Sequence, residues 1–330
     1  MEELLKKIIG SLHEKDFSHE KAVLKSLNGK SVSEEISLKN YSTLKKSYEY
    51  MNAFFIDGGS ASLLSSSSFS LGFFRACIVK SEQDEFSVSF SEELYCAALQ
   101  ENDFFSLSTF PEHPGINKVR VKSKSLDESF SSFDSWKACS AARRLLEISL
   151  AIKAASDNKG SLIVLDGSLD GEEYEEMLLE TLKRAALKNG NVVIGLSKSN
   201  SFSTNMNRPL TYALLSRKKN SWIYKLKVSP SDRFKACYVK FSDGSSYAFR
   251  ADFFPEQESQ AIKALESLAG ISNDALFQGY PYGLVEADDF ARISLEEKQS
   301  IIAGLASLQD WNLLEKAAFD IHELLDSSKF

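Results

Sequence analysis

Apolar residues recur at helical spacing from the start of the chain, where Leu4, Leu5, Ile8, Ile9 and Leu12 share one face, and a second helix is expected from about Glu20. Residues 1–50 are therefore expected to form a helical arm outside the core. The pattern then changes. Ala53 to Leu64 reads AFFIDGGSASLL, and the run Phe54-Phe55-Ile56 predicts a strand buried on both faces. The serines from Ser65 to Ser68 predict a hairpin connection to a second strand over Phe69–Lys80, and Phe86, Val88 and Phe90 predict a third within Asp84–Cys96. Trp136, Leu145, Leu146, Ile148, Leu150 and Ile152 give Phe133–Ala155 the apolar face of a helix, with Asp134 or Ser135 as its N-cap. Ser161 onward reads SLIVLDGSL, a second buried strand running into Asp-Gly. A helix over Gly171–Lys188, stopped by Asn189-Gly190, leads to another buried strand over Asn191–Leu196. The polar stretch Ser199–Arg208 is expected to be a mobile loop. Strands are predicted over Trp222–Val228, Phe234–Phe241 and Tyr247–Phe254, the last two joined by the turn Ser242-Asp243-Gly244-Ser245. Glu258–Leu268 is helical, and Gly279-Tyr280-Pro281-Tyr282-Gly283 introduces a helical remainder to Phe330.

Two strands thus run directly into an Asp-Gly pair, at Asp57 and Asp166. Gly58 and Gly59 suggest a tight turn after Asp57 and leave space beside its carboxylate. Between the two strands, Glu147 interrupts the apolar face of the helix, where a charge is costly to bury unless something compensates it. Pairing with Arg143 at the exposed helix edge is the simpler alternative. Strand, strand, strand, helix, strand, helix, strand is the order of an RNase H-like α/β fold, a mixed sheet flanked by helices. In that fold the first and fourth strands are neighbours, so Asp57 and Asp166 would lie side by side with Glu147 above them. Three adjacent carboxylates repel one another, and a divalent cation removes the conflict. All-oxygen ligands select Mg²⁺ or Mn²⁺, and two such ions suit the hydrolysis of a phosphodiester.

Composition narrows the setting. An apolar fraction of 43% and a charged fraction of 26% are ordinary for a globular protein, and no apolar run is long enough to span a membrane. Cys77, Cys96, Cys139 and Cys237 lack zinc-site spacing and read as reduced cysteines of a cytoplasmic protein. The net charge of −7 argues against coating nucleic acid by bulk attraction but leaves room for a local basic groove. Lys118, Arg120, Lys122 and Lys124 alternate with Val119, Val121 and Ser123, which fits either a charge-protected edge strand or a strip that tracks phosphates. Lys198, at the mouth of the strand ending at Leu196, is a further candidate phosphate ligand. Arg250 and Asp252 share one face of their strand.

The succession FFIDGG, RRLLEISLA, LIVLDGSL, VVIGLSKS, FRADFF and GYPYGLVEADDFA resembles the NurA nucleases from about residue 50 onward. The resemblance implies an Mn²⁺-dependent 5′ to 3′ exonuclease with endonuclease activity on single-stranded DNA. It also implies a homodimer that docks on a hexameric HerA-type helicase during DNA-end resection. Asp57, Glu147 and Asp166 match the family's metal-binding carboxylates and Asp252 a further acidic position; Lys198 follows its strand as in the family, which supports a phosphate role, and Arg250 is a further candidate for DNA binding. Where the family carries a histidine on the helix after its GYP motif, this chain has Asp288. The family's tyrosine has two candidates here, Tyr212 and Tyr224. The division is a helical arm over 1–50, for partner docking or dimerisation, and a nuclease domain over 51–330. Two other classes compete: a catalytically weakened adaptor that dimerises and docks on the helicase, and an actin-like sugar kinase, for which the glycine-rich phosphate loops are lacking.

Overall fold

The computed structural model describes residues 2–4, 6, 20–25, 31–47, 50, 52–82, 85–122, 132–198, 202–229, 231–272 and 277–318. The strands are β1 (Lys21–Lys25), β2 (Ser31–Glu35), β3 (Tyr41–Thr43), β4 (Asn52–Ser65), β5 (Phe69–Glu82), β6 (Glu85–Glu101), β7 (Phe104–Phe110) and β8 (Arg120–Lys122). Helix α1 (Ser132–Asp157) precedes β9 (Leu162–Asp166), and α2 (Glu176–Asn189) precedes β10 (Val192–Ser197). Then come β11 (Ser203–Thr204), α3 (Leu210–Leu215), β12 (Trp222–Lys225), β13 (Lys235–Lys240), β14 (Phe249–Phe253), α4 (Glu258–Gly270), α5 (Tyr282–Ala291), α6 (Leu295–Ala306) and α7 (Trp311–Ala318).

Among the described residues one sheet has the order β3-β12-β13-β14-β10-β9-β4-β5-β6-β7-β8. Its centre, β10-β9-β4-β5-β6, is the RNase H-like arrangement: β4 pairs parallel with β9, β9 parallel with β10, and β4, β5 and β6 form an antiparallel meander. The unbroken apolar runs follow from burial on both sides. Phe54, Ile56, Ile163 and Leu165 face α1 and α2 with Leu145 and Leu146, whereas Phe55 and Val164 face α4 and α5 with Leu265 and Leu284. The strands at both ends of this core extend the sheet well beyond the central five. No helix among the described residues is long and apolar enough to cross a membrane. Cys77, Cys96, Cys139 and Cys237 are buried and free.

Several expectations change. Residues 2–4 and 6 are helical, and most of the first helical pattern lies outside the described residues. From Lys21 the chain is a strand, not a helix, because Ala22 and Leu24 are fully buried at a period of two while Lys21 stays exposed. β1 lies between β2 and β11, and β3 joins the edge of the large sheet, so this segment contributes to the core. β11 also gives order within the predicted Ser199–Arg208 loop, and the Arg208 guanidinium holds buried Glu20 through bonds of 2.9 and 2.7 Å. Helix α1 begins at Ser132, which places Asp134 and Ser135 inside it; the Ser135 hydroxyl donates to Ser66 O across the β4–β5 turn instead of capping. Of the basic strip, Lys118 sits in a turn at φ 66°, only Arg120 and Lys122 lie on the described strand, and Lys124 is outside the described residues. β8 is an edge strand whose cations pair with Glu101 and Glu173, as charge protection of an edge requires.

The most informative change concerns Gly58 and Gly59. No turn occurs there, because β4 runs straight through both as far as Ser65. They are glycines because other elements cross close to the strand. A Cβ on Gly59 would fall 2.0 Å from the Ala291 carbonyl oxygen at the end of α5, and one on Gly58 would fall 2.8 Å from Glu147 Oε1 on α1. Gly59→Ala should therefore cost about 3 kcal/mol or more of folding stability, since the obstacle is backbone. In contrast, Gly304→Ala in α6, where nothing lies within 4 Å, should add about 0.5–1 kcal/mol. Urea unfolding of the two variants measures both.

Candidate metal centre

Asp57 sits on β4 one residue beyond its last paired position with β9, Ile56↔Leu165, and β9 ends at Asp166. The two carboxylates therefore emerge from adjacent strands at the same level. Glu147 descends from α1, which crosses β4 and β5, and it approaches over Gly58, where the lack of a side chain leaves room. All three line one cavity of about 410 Å³, together with Arg143, Ser168, Asp170, Ser197, Lys198 and Arg250. The sheet order and the glycine thus bring the three predicted acids together.

Charge balance is uneven across the three. Glu147, 2% exposed, is met by Arg144 Nη1 at 3.1 Å and by Arg143 Nε at 3.6 Å. Asp166 Oδ2 accepts from Lys198 Nζ at 3.0 Å, and its Oδ1 accepts from the Tyr280 hydroxyl at 3.3 Å. Among the described residues no cation forms an ion pair with Asp57, on which the Lys198 charge acts only from a distance. Its Oδ1 accepts from Gly58 N at 2.7 Å, but its Oδ2 is buried with no hydrogen-bond partner. Burial first, then the charges of Asp166 and Glu147, push the Asp57 carboxyl up to about 8. Burial likewise raises Glu147, and it pushes Glu175, on the far side of Arg144, up to about 7.

Arg144 and Asp252 organise the surroundings. The Arg144 guanidinium also donates to the carbonyls of Asp166, at 3.0 Å, and Ser168, so it ties α1 to the turn after β9. Gly167 occupies φ 101° in that turn, so the second Asp-Gly is a true turn while the first is not. Asp252 is fully buried. It accepts from Arg250 Nε at 2.7 Å, Arg250 Nη2 at 2.9 Å and Leu169 N at 2.9 Å. Its oxygens are thus committed to holding Arg250 and the same turn, and it does not line the cavity, so the expected role as a metal ligand gives way to a positioning one. Arg250 does line the cavity, with its guanidinium stacked 4.1 Å from the Phe202 ring centroid.

Asp288 lies on α5, about half exposed and paired with Arg292 at 2.7 Å, outside the cavity lining but close enough for its charge to act on Lys198 and Tyr280. Of the candidate tyrosines, Tyr212 is 51% exposed and stacks with Arg208, and Tyr224 is fully buried in the core. The tyrosine at the site is Tyr280, from the Gly279-Tyr280-Pro281 motif, which also carries Lys198 Nζ 4.9 Å from its ring centroid. Arg144 also reaches the site, and its place three residues before Glu147, a spacing that pairs side chains on a helix, is the sequence signal for it. Arg120 and Lys122 lie on the edge strand β8, with Lys118 in the turn before it, away from the central strands β4 and β9, and none of the three lines the cavity.

As the side chains stand, no three His, Cys, Asp or Glu side chains among the described residues converge to hold an ion. Lys198, Arg143 and Arg144 occupy the carboxylates instead. Asp57 Oδ2, which has no hydrogen-bond partner among the described residues and feels the negative charges of Asp166 and Glu147, nevertheless fits a hard divalent cation.

The NurA domain family matches residues 51–293, and the chain belongs to that family. The NurA nuclease from Sulfolobus solfataricus is similar in structure at 15% sequence identity and a TM-score of 0.58, over 94% of this chain and 96% of that one. The catalytic domain of human endonuclease V aligns at 11% identity and a TM-score of 0.39, over 80% of this chain and 92% of that one. An Aquifex aeolicus Argonaute aligns at 13% identity and a TM-score of 0.36, over 75% and 29%. No curated protein sequence matches the chain.

Between its ordinary value and about 8, folded Asp57 holds a proton that the unfolded chain has lost. Stability without metal should therefore fall as pH rises through that window, by up to about 1.4 kcal/mol per pH unit for this group. Glu147 and Glu175 are shifted in the same direction and add to the slope. Urea unfolding in chelator at about pH 5.5 and about pH 8.5 measures it. Asp57→Asn should flatten the slope, and a divalent cation should reduce it in the wild-type chain.

Proposed function

We propose that the chain is a DNA nuclease dependent on Mn²⁺ or Mg²⁺, with two ions at the cavity. In this reading it degrades DNA from 5′ ends, cuts single strands internally, and works as a homodimer with a hexameric HerA-type helicase in DNA-end resection. The observation that carries the reading is the partnerless Asp57 Oδ2, buried beside Glu147 and Asp166 in a cavity that also presents basic side chains. A cluster of this kind is a liability to stability, and a site that binds a cation gives it a purpose.

Asp57 and Asp166 would be the principal ligands, with Glu147 a third once its arginine contacts loosen. When bound, such cations supply Lewis-acid activation of the attacking water and charge compensation at the leaving oxygen. The chain's own residues do the rest. Lys198 neutralises Asp166 in the resting site; once Asp166 has another positive partner, its ammonium is free to meet a phosphate oxygen. Tyr280 keeps the Asp166 carboxylate oriented through Oδ1. Arg144 and Asp252 hold the Asp166–Leu169 turn at the correct height from two sides. Arg143, anchored on Gly58 O at 3.1 Å, presents a half-exposed cation at the cavity mouth for the strand to follow.

A catalytically weakened adaptor is the second reading, favoured by one observation: Asp288, where the family histidine would stand, is turned to Arg292 at the surface. A nuclease assay separates the two. The wild-type chain should degrade 5′-ended DNA with Mn²⁺, with and without the cognate helicase. Asp57→Ala and Asp166→Ala should each lower the rate by at least about 10³-fold, as expected when metal-dependent stabilisation of the transition state is removed. A wild-type chain that binds the helicase and stays inert with Mn²⁺ would establish the adaptor.

A further inference from the structure

The cavity contains a second buried polar atom without a hydrogen-bond partner, Ser197 Oγ. Ser197 ends β10 and is 7% exposed. A buried hydroxyl left unpaired is unfavourable, and serines avoid this by donating to a nearby carbonyl, as Ser272 does to Leu268 O at 2.6 Å. The surroundings of Ser197 indicate what its hydroxyl serves. Lys198 follows it directly, and Arg250 is its register partner on β14; both line the same cavity. Lys198 is paired with Asp166 and Arg250 with Asp252, yet each brings a cation to the lining beside Ser197, and a hydroxyl donor next to cationic side chains suits an anionic acceptor. The cavity lining thus combines carboxylates with cationic and hydroxyl donors.

We infer that Ser197 is a substrate-binding residue whose Oγ donates a hydrogen bond to a non-bridging oxygen of a nucleic-acid phosphate entering the cavity. This rests on the nuclease reading and adds to it a neutral donor that recognises the strand. A serine hydroxyl turns about a single bond among three staggered positions, so it meets the phosphate without backbone movement. Because Oγ has no hydrogen-bond partner among the described residues, its removal should leave the fold intact.

The test compares wild-type, Ser197→Ala and Ser197→Thr in binding a fluorescent oligothymidylate, with Ca²⁺ replacing Mn²⁺ and the intact length of the strand checked afterwards. The oligonucleotide is used in 5′-phosphorylated and 5′-hydroxyl forms. Ser197→Ala should weaken binding about tenfold, as the loss of one hydrogen bond to a charged group implies. Weakening confined to the 5′-phosphorylated form assigns the seat to a terminal phosphate; weakening of both forms assigns it to an internal one. Ser197→Thr should stay within about threefold of wild-type, as a variant that keeps the donor. The Tm of Ser197→Ala should be equal to or above that of wild-type, and its affinity for Mn²⁺ unchanged. Unaltered binding of both oligonucleotides overturns the inference, as does a lowered Tm, which would make the hydroxyl structural, or weakened Mn²⁺ binding, which would make it a metal ligand. Weakened oligonucleotide binding in a chain whose wild-type form is inert with Mn²⁺ would remove the nuclease reading and leave the phosphate seat standing.

Discussion

A carboxylate taken out of water must be met by an opposite charge or keep its proton, and most of this site follows from how that demand is satisfied. The parallel pairing of β4 with β9 sets Asp57 beside Asp166, and α1 adds Glu147 from above. Two of the three are compensated within the chain, by Lys198 and by the paired arginines of α1. Among the described residues Asp57 has a backbone amide on one of its oxygens and the Lys198 charge at a distance, but no ion pair. The surrounding structure pays to hold this imbalance. Gly58 gives up its side chain so that Glu147 can approach, Gly59 does the same for α5, and Arg144 and Asp252 clamp the turn that carries Asp166.

The RNase H-like centre was legible because its signals are local. Continuous apolar runs mark strands covered on both faces, and the stop at Asn189-Gly190 is a left-handed cap at φ 66°. The proximity of the three carboxylates was legible for the same reason, since Asp57 and Asp166 need only adjacent strands, and Glu147 only the helix that crosses them, to become neighbours. What remained hidden depends on contacts between distant segments. The strand character of Lys21–Lys25 relies on pairing with β2 and β11 and on Arg208 neutralising Glu20, none of which shows in a short stretch of alternation.

Gly58 and Gly59 illustrate the same limit within the site. Glycine after aspartate usually means a turn, and at Gly167 it does. At Gly58 and Gly59 the cause is the close passage of α1 and α5, which only the three-dimensional arrangement reveals. Asp252 and Tyr280 differ from expectation for a related reason. A buried acid on a central strand reads as a ligand until its arginine and amide partners are seen, and a tyrosine between glycine and proline reads as loop chemistry until it reaches Asp166.

The central claim is that the uncompensated carboxylate at Asp57 exists to receive a divalent cation. Calorimetric titration of the purified chain with Mn²⁺ at about pH 7, repeated in buffers of different ionisation enthalpy, tests it most directly. With Asp57 pushed up to about 8, saturable binding should release a proton, and Asp57→Asn should lose both the tight binding and the proton release. Absence of saturable Mn²⁺ binding, or binding and proton release that persist unchanged in Asp57→Asn, would contradict the account.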